Sequence, residues 1–185
     1  MKAPLSFYFV HHPECTAARD LCSELFEWFR VGARLGNAYD VGVPVYYRRI
    51  VKNSEVHPKV PFDKANLNVV VALVDHKAVL DVNWRRAFDS LAKEAMATSS
   101  CFLPVALHDS FFRLRGLYEQ ANPVRLIDLS NTQMLKELRR SITTVAERAL
   151  RSEDGTPADP LKIFISHAKA DGAPTAKTIR DSVRR

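Results

Sequence analysis

An unbroken apolar run near the middle of the chain predicts a strand that is buried on both faces. The run Asn68–Val74 is rich in β-branched residues, shows no alternation of polar and apolar side chains, and ends at Asp75. Strands with one solvated face alternate, whereas parallel strands covered by helices on both faces do not. The run therefore indicates the centre of a parallel sheet. Ligands of such sheets bind beyond the carboxyl ends of the strands, so Asp75 and Trp84 are expected to border any site.

Further apolar segments and helical periodicities surround this central strand. The other predicted strands are Leu5–Val10, Val43–Tyr47, Cys101–His108 and Pro123–Leu129. Apolar residues spaced three and four apart predict helices that begin near Glu14 and near Asn83, and a short helical segment at Ser110–Glu119. They also predict a last helix that is capped by Asn131 or Thr132. In the first helix, the apolar stripe is Leu21, Leu25 and Trp28. Strands alternating with helices predict an α/β domain: a five-stranded parallel sheet of flavodoxin-like order 2-1-3-4-5 with helices on both faces.

This pattern is complete over residues 4–151, and a polar segment follows it. Residues 152–160 combine acidic residues with Pro and Gly, which is typical of a linker. Leu161–His167 then predicts a new strand, and residues 174–185 predict a helix. We expect residues 161–185 to be the truncated start of a second domain whose opening repeats the pattern of the first.

The overall charge changes this picture only slightly. The formal charge of +6 favours acidic partners, but the 27 basic residues are scattered among 21 acidic ones. A solvated surface of mixed charge is therefore favoured over a nucleic-acid-binding face. The cysteines Cys15, Cys22 and Cys101 lack the spacing of metal ligands, which suggests reduced thiols in a cytoplasmic protein. No apolar run has the length of a signal peptide or of a membrane span.

The segment Ile163–Asp171 carries the most specific sequence signal. Its strand, Ser166-His167, short turn and Asp171 resemble the opening motif of Toll/interleukin-1 receptor (TIR) domains. The first domain is similar to a divergent TIR-like domain. Its counterparts of the first, second and third strands are Phe7–His12, Val43–Tyr47 and Val69–Val74. Arg48–Leu67 corresponds to the assembly loop, and Trp84 corresponds to the Trp that opens the next helix. The resemblance implies protein partners and homotypic self-association, through Arg48–Asn66 and the helix faces.

The same resemblance bears on catalysis. TIR domains that hydrolyse NAD place a Glu four residues after this Trp, where it stabilises the oxocarbenium-like charge as nicotinamide leaves. The corresponding residue here is Phe88. Asp89 follows, but a shift of one residue turns a side chain by about 100° around a helix. The resemblance thus implies a non-catalytic interaction or regulatory module, attached to a TIR domain in a bacterial-type signalling or immune protein. The alternative is an NAD glycohydrolase that uses Asp89 or is completed by a C-terminal part.

Candidate ligand-binding residues are His11, His12, Tyr46, Arg48, Asp75 and Trp84. Trp84 would either stack on a base or pack on the core, and Asp75 would either hold a ribose hydroxyl or cap the next turn. Tyr46 and Arg48 would contact an anion or partner, or simply end a solvated strand. No metal is predicted, because His11, His12 and Cys15 lack further ligands. No cofactor is predicted either, although NAD or a related nucleotide would suit the site as ligand or substrate.

A receiver-like phosphoacceptor domain is a third hypothesis, since it shares the predicted fold. Its chemistry requires clustered acids at the end of the first strand and an Asp at the end of the third. His11 and His12 stand at the first position, so Asp75 alone meets the requirement.

Overall fold

The computed structural model describes residues 2–30, 44–47, 59–98, 100–114 and 122–153. The strands in these ranges are β1 (Ala3–His11), β2 (Val45–Tyr47), β3 (Ala65–Val74), β4 (Cys101–Ala106) and β5 (Val124–Arg125). The α-helices are α1 (Thr16–Arg30), α2 (His76–Leu80), α3 (Val82–Ala97) and α4 (Asn131–Glu153), and a 3₁₀ helix spans Asp109–Arg113.

The five strands form one parallel sheet in the order β2-β1-β3-β4-β5. The predicted fold class and strand order are therefore confirmed. The longest pairing joins β1 to β3, from Ala3 opposite Ala65 to His11 opposite Leu73. The chain leaves β1 towards β2 on one side and leaves β3 towards β4 on the other. The gap between the carboxyl ends of β1 and β3 is consequently the switch point, where ligands of open α/β sheets bind.

Helices cover both faces of the sheet, as predicted, because β1 and β3 are apolar on both sides. Odd-numbered residues of these strands, such as Phe7 and Val71, pack with Leu21 and Leu25 of α1 and Leu138 and Ile142 of α4. Even-numbered residues pack in a second layer with α2 and α3: Tyr8, Val10, Val70, Ala72 and Val74 contact the layer that contains Ala78, Phe88 and Leu91. Each buried leucine or phenylalanine side chain contributes about 1.5–3 kcal/mol of hydrophobic stabilisation.

Several predicted boundaries were wrong. The first helix begins at Thr16 rather than Glu14, the central strand begins at Ala65 rather than Asn68, and β4 ends at Ala106 rather than His108. The fifth strand keeps only Val124 and Arg125 of the predicted segment, since the chain then turns at Asp128, whose φ is 61°.

Two helix starts also differ from the sequence-based expectation. The segment after Asp75 forms helix α2, which the apolar periodicity did not predict. Helix α4 is capped by Ser130 rather than by Asn131 or Thr132, because the Gln133 N–H donates to Ser130 Oγ (3.4 Å) and Gln133 Oε1 accepts from the Ser130 N–H (2.9 Å). This reciprocal arrangement is a capping box.

The predicted domain boundary falls close to the end of the described chain. Residues Met1–Leu150 form one compact unit, and α4 continues to Glu153. The predicted linker beyond residue 153, the second domain at 161–185 and most of the predicted assembly loop, 48–58, lie outside the described residues.

Candidate functional site at the carboxyl edge

The segments that follow β1 and β3 meet at the carboxyl edge of the sheet. Lys77, which follows β3, donates through Nζ to the backbone oxygen of Glu14 (3.1 Å) and lies 3.4 Å from its carboxylate. Glu14 belongs to the turn after β1. Both side chains are solvated, and ion pairs of this kind stabilise a fold by less than about 1 kcal/mol. The pair therefore marks where the two segments meet without defining a reactive centre.

His12 is the centre of the first cluster at this edge. Its ring is buried, its Nδ1 accepts the backbone N–H of Glu14 (3.2 Å), and its Nε2 lies 3.8 Å from Asp81 Oδ2. The ring centroid of Trp84 is 5.4 Å from that of His12. Because Nδ1 is an acceptor, the neutral imidazole carries its proton on Nε2, which faces Asp81. This ring has no free lone pair with which to act as a general base.

Asp81 is fixed by its own helix. Its Oδ1 accepts the N–H groups of Asn83 (2.8 Å) and Trp84 (3.3 Å), so that it caps α3. Burial alone raises the pKa of this carboxyl. The two backbone hydrogen bonds and the neighbouring His12 outweigh burial, so the pKa lies below its usual value. The carboxylate is therefore ionised and is already occupied as an acceptor.

A second cluster lies on the α1 side of the same edge. Asp75 is 7% exposed, and its Oδ1 accepts the Ala78 N–H at 2.9 Å, which caps α2. His11 is also buried and hydrogen-bonds through Nδ1 to the backbone oxygen of His12 (2.8 Å). Of the two roles that the sequence leaves open for Asp75, the structure shows the cap.

Cys15 completes this second cluster but is not set up as a nucleophile. Its Sγ accepts the Ala18 N–H (3.4 Å). Burial, with a contribution from Asp75, raises the pKa of the Cys15 thiol to about 11. Desolvation also lowers the pKa of His11, so that this ring is neutral. A neutral thiol beside a neutral imidazole and a carboxylate lacks the thiolate that cysteine catalysis uses.

Of the remaining candidates that the structure describes, only Trp84 lies at this edge. Tyr46 is half exposed and stacks on Tyr8 with ring centroids 5.1 Å apart, at a level of the sheet three residues before the end of β1. Arg48 lies outside the described residues. Trp84 is partly buried and packs on the α3 layer, so the core contact is the role that the structure shows for it.

The two positions considered for a catalytic acid lie on α3. Phe88 is 1% exposed and packs against Trp84, with ring centroids 5.6 Å apart. Asp89 is partly buried, and its Oδ1 has no hydrogen-bond partner among the described residues. The residue at the position of the expected acid is thus part of the core.

Sequence reasoning missed Asp81, Glu14 and Lys77 as members of this edge. A signal for Asp81 was present, because an Asp directly before a helical segment is a strong N-cap. Its pairing with His12 depends on the distance between the segments that follow β1 and β3, which the predicted strand order does not supply. The edge contains residue types that are common in active sites. Three of its acceptor atoms, Asp75 Oδ1, Asp81 Oδ1 and His12 Nδ1, accept backbone N–H groups.

The comparisons with known proteins add no relative. No family model, no curated protein and no solved structure matches this chain. Within the described ranges, no group of three or more His, Cys, Asp and Glu side chains is placed to hold a metal ion. None of the helices in these ranges has the length and apolarity needed to cross a membrane.

Proposed function

We propose that residues 4–151 are a non-catalytic, TIR-like interaction and regulatory module. In the parent protein, a bacterial-type signalling or immune protein of the cytoplasm, the module would regulate an attached TIR domain by binding a protein partner, a nucleotide signal or a second copy of itself. The observation that carries the proposal is the buried ring of Phe88, which occupies the position of the expected catalytic acid. An apolar side chain there cannot stabilise the positive charge that develops as a glycosidic bond breaks.

The hydrogen bonds at the carboxyl edge support the same proposal. Asp75 and Asp81 cap helices, and the His12 ring accepts a backbone N–H. A general acid or base must reach the proton that it transfers, and these groups are already committed to the backbone. Their engagement favours a rigid edge over a catalytic one.

The alternative, an NAD glycohydrolase, has one observation in its favour. Asp89 is a partly buried carboxyl with an oxygen that lacks a hydrogen-bond partner among the described residues. Buried acceptors are normally paired, so the donor of a bound ligand would satisfy this oxygen. The enzyme hypothesis therefore predicts activity that depends on Asp89.

The test is to incubate the 185-residue chain with NAD and to quantify released nicotinamide by chromatography. We expect no release above the protein-free blank, both for the wild-type chain and for Asp89→Ala. The proposal would be overturned by release that is abolished in Asp89→Ala and retained in Asp20→Ala. Asp20 is the control because it is an exposed carboxylate on a different helix, α1. Sedimentation velocity over a wide concentration range measures the self-association that the proposal includes.

A further inference from the structure

A groove between α1 and α4 is separate from the carboxyl-edge site. It has a volume of about 450 Å³ and is lined by Glu24, Trp28, Thr132, Leu135, Lys136 and Arg139. Pockets that bind small ligands or anchor side chains have volumes of roughly 300–1,000 Å³. The groove is therefore large enough to take one or two side chains of a partner.

Trp28 forms the apolar wall of this groove. The indole is 44% exposed although the spacing of α1 places it on the apolar stripe. Its position is fixed from two sides: Phe29 packs edge-on at 4.7 Å between centroids, and the Arg139 guanidinium lies 5.2 Å from the ring centroid. Large aromatic side chains held in this way are the usual anchors of protein interfaces.

The charged side chains of the groove are unbalanced. Among the described residues, neither Lys136 nor Arg139 has a carboxylate within 4.0 Å, and Arg139 Nε is a buried donor without an acceptor. Glu24 provides the only carboxylate of the lining, and its Oε1 accepts from the Asn131 amide (3.2 Å). The next residue, Arg140, is by contrast paired with Glu137 at 2.7 Å. The groove thus combines an exposed indole with two cations that have no ion-pair partner in the described part of the chain.

We infer that this groove docks an acidic segment of a partner protein. A carboxylate of the segment would accept hydrogen bonds from the Arg139 guanidinium and lie close to Lys136, while a neighbouring apolar side chain packs against Trp28 and Leu135. Carboxylates pair with guanidinium groups through two parallel hydrogen bonds, which gives both strength and orientation. The inference extends the proposed interaction function by naming the surface and the chemistry of a partner.

A second copy of the chain is a less suitable occupant. In a symmetric dimer the same patch meets itself, so the four cations of the two grooves, Lys136 and Arg139 of each copy, would share only the two Glu24 carboxylates. Like charges brought together across an interface oppose association. The charges of the groove therefore favour a foreign acidic segment.

The test is fluorescence anisotropy with a labelled acidic pentapeptide that has leucine at its centre, and with an analogue in which every Glu and Asp becomes Gln and Asn. We expect the full chain to bind the acidic peptide and not the neutral one. Arg139→Gln should weaken binding by about tenfold or more, as expected for loss of an interface hot spot. Arg140→Gln is the matched control: it removes the same charge from the adjacent, exposed position of the same helix and should leave binding nearly unchanged. Circular dichroism checks that both variants are folded.

Four results would overturn the inference. These are failure of the acidic peptide to bind up to millimolar concentration, equal binding of the neutral peptide, equal losses in Arg139→Gln and Arg140→Gln, and self-association of the chain that Arg139→Gln abolishes. The third would indicate general electrostatic attraction, and the fourth would identify a second copy as the occupant. Nicotinamide release tests the proposed function alone, and peptide binding tests this inference. Failure of the proposed function can therefore be distinguished from failure of the inference.

Discussion

The carboxyl edge and the groove between α1 and α4 use their polar groups in opposite ways. At the edge, Asp75 and Asp81 each accept backbone N–H groups, and His12 lies between a backbone donor and a carboxylate. In the groove, Lys136 and Arg139 have no carboxylate within 4.0 Å among the described residues. The edge therefore contains residue types that are associated with catalysis, but these residues form hydrogen bonds within the protein itself. The groove contains ordinary surface residues, and its Arg139 Nε is a donor without an acceptor among the described residues.

This difference indicates that residue types alone do not identify a binding site. It also matters whether their polar atoms already form hydrogen bonds within the protein. Polar groups that cap helices stabilise the protein and would have to break those bonds to bind a ligand. Lys136 and Arg139, which have no carboxylate within 4.0 Å among the described residues, would not have to break an ion pair there. On this physical ground, the groove is the surface that we propose for recognition, in preference to the edge.

The largest expected effect comes from placing a carboxylate at position 88. Phe88→Glu buries a charge in the α3 layer and should lower the free energy of unfolding by more than about 4 kcal/mol, or prevent folding. Phe88→Leu keeps the site apolar and should cost about 1 kcal/mol. Urea denaturation followed by circular dichroism measures both.

Met96→Glu is the control for this substitution, since Met96 lies on the same helix and is 69% exposed. It should change the free energy of unfolding by less than about 0.5 kcal/mol. If Phe88→Glu were as stable as Met96→Glu, position 88 would open to a cleft, and the comparison between edge and groove would lose its basis.

A smaller effect is expected from removing the cap at Asp75. Asp75→Ala leaves the Ala78 N–H without its acceptor and should lower the free energy of unfolding by about 1–2 kcal/mol. Asp75→Asn keeps an acceptor oxygen and should retain most of that stability. Equilibrium urea denaturation of the three proteins makes the measurement. An Asp75→Ala variant as stable as the wild type would mean that the carboxylate is available to a ligand after all.

The sheet could be predicted from the sequence because its physical cause is local. The run Asn68–Val74 needs cover on both faces, and strands that alternate with helices leave few topologies. The length of β5 could not be predicted from its own residues, because it depends on the neighbouring strand. The last pair joins Arg125 to Ala106, where β4 ends. Helix α2 was missed because its five residues are too few to show a periodicity.

The position of the candidate residues follows from the strand order, but their bonding does not. The switch point brings the segments after His11 and Val74 together, so His12, Asp75 and Trp84 lie at one edge of the sheet, and whether they bind a ligand stays a prediction. Their hydrogen bonds depend on distances between elements far apart in sequence, which no spacing rule supplies. Trp28 shows the same limit: its spacing places it on the apolar stripe, but the neighbour that covers its face is the Arg139 guanidinium.

The smallest expected effect is a dependence of stability on pH that arises from His11. Burial, the largest influence on this ring, lowers its pKa in the folded protein, and Arg19 and His12 act in the same direction. The hydrogen bond to the His12 carbonyl and the charge of Asp75 oppose the shift without reversing it. The unfolded chain, with a histidine pKa of about 6.5, therefore binds more protons than the folded one as pH falls below that value. The free energy of unfolding should be largest above about pH 6.5 and should decrease on acidification until the pH is below the folded pKa.

Urea denaturation at several pH values between about 7.5 and about 5 follows this decrease. His11→Asn keeps a donor near the His12 carbonyl but does not titrate, so its stability should vary less with pH than that of the wild type. His76→Asn, at an exposed position of the same edge, should retain the wild-type dependence. If the slope were unchanged in His11→Asn, or lost in His76→Asn, the buried ring would not be its source. The edge would then lack the buried, hydrogen-bonded histidine that is part of the contrast between the edge and the groove.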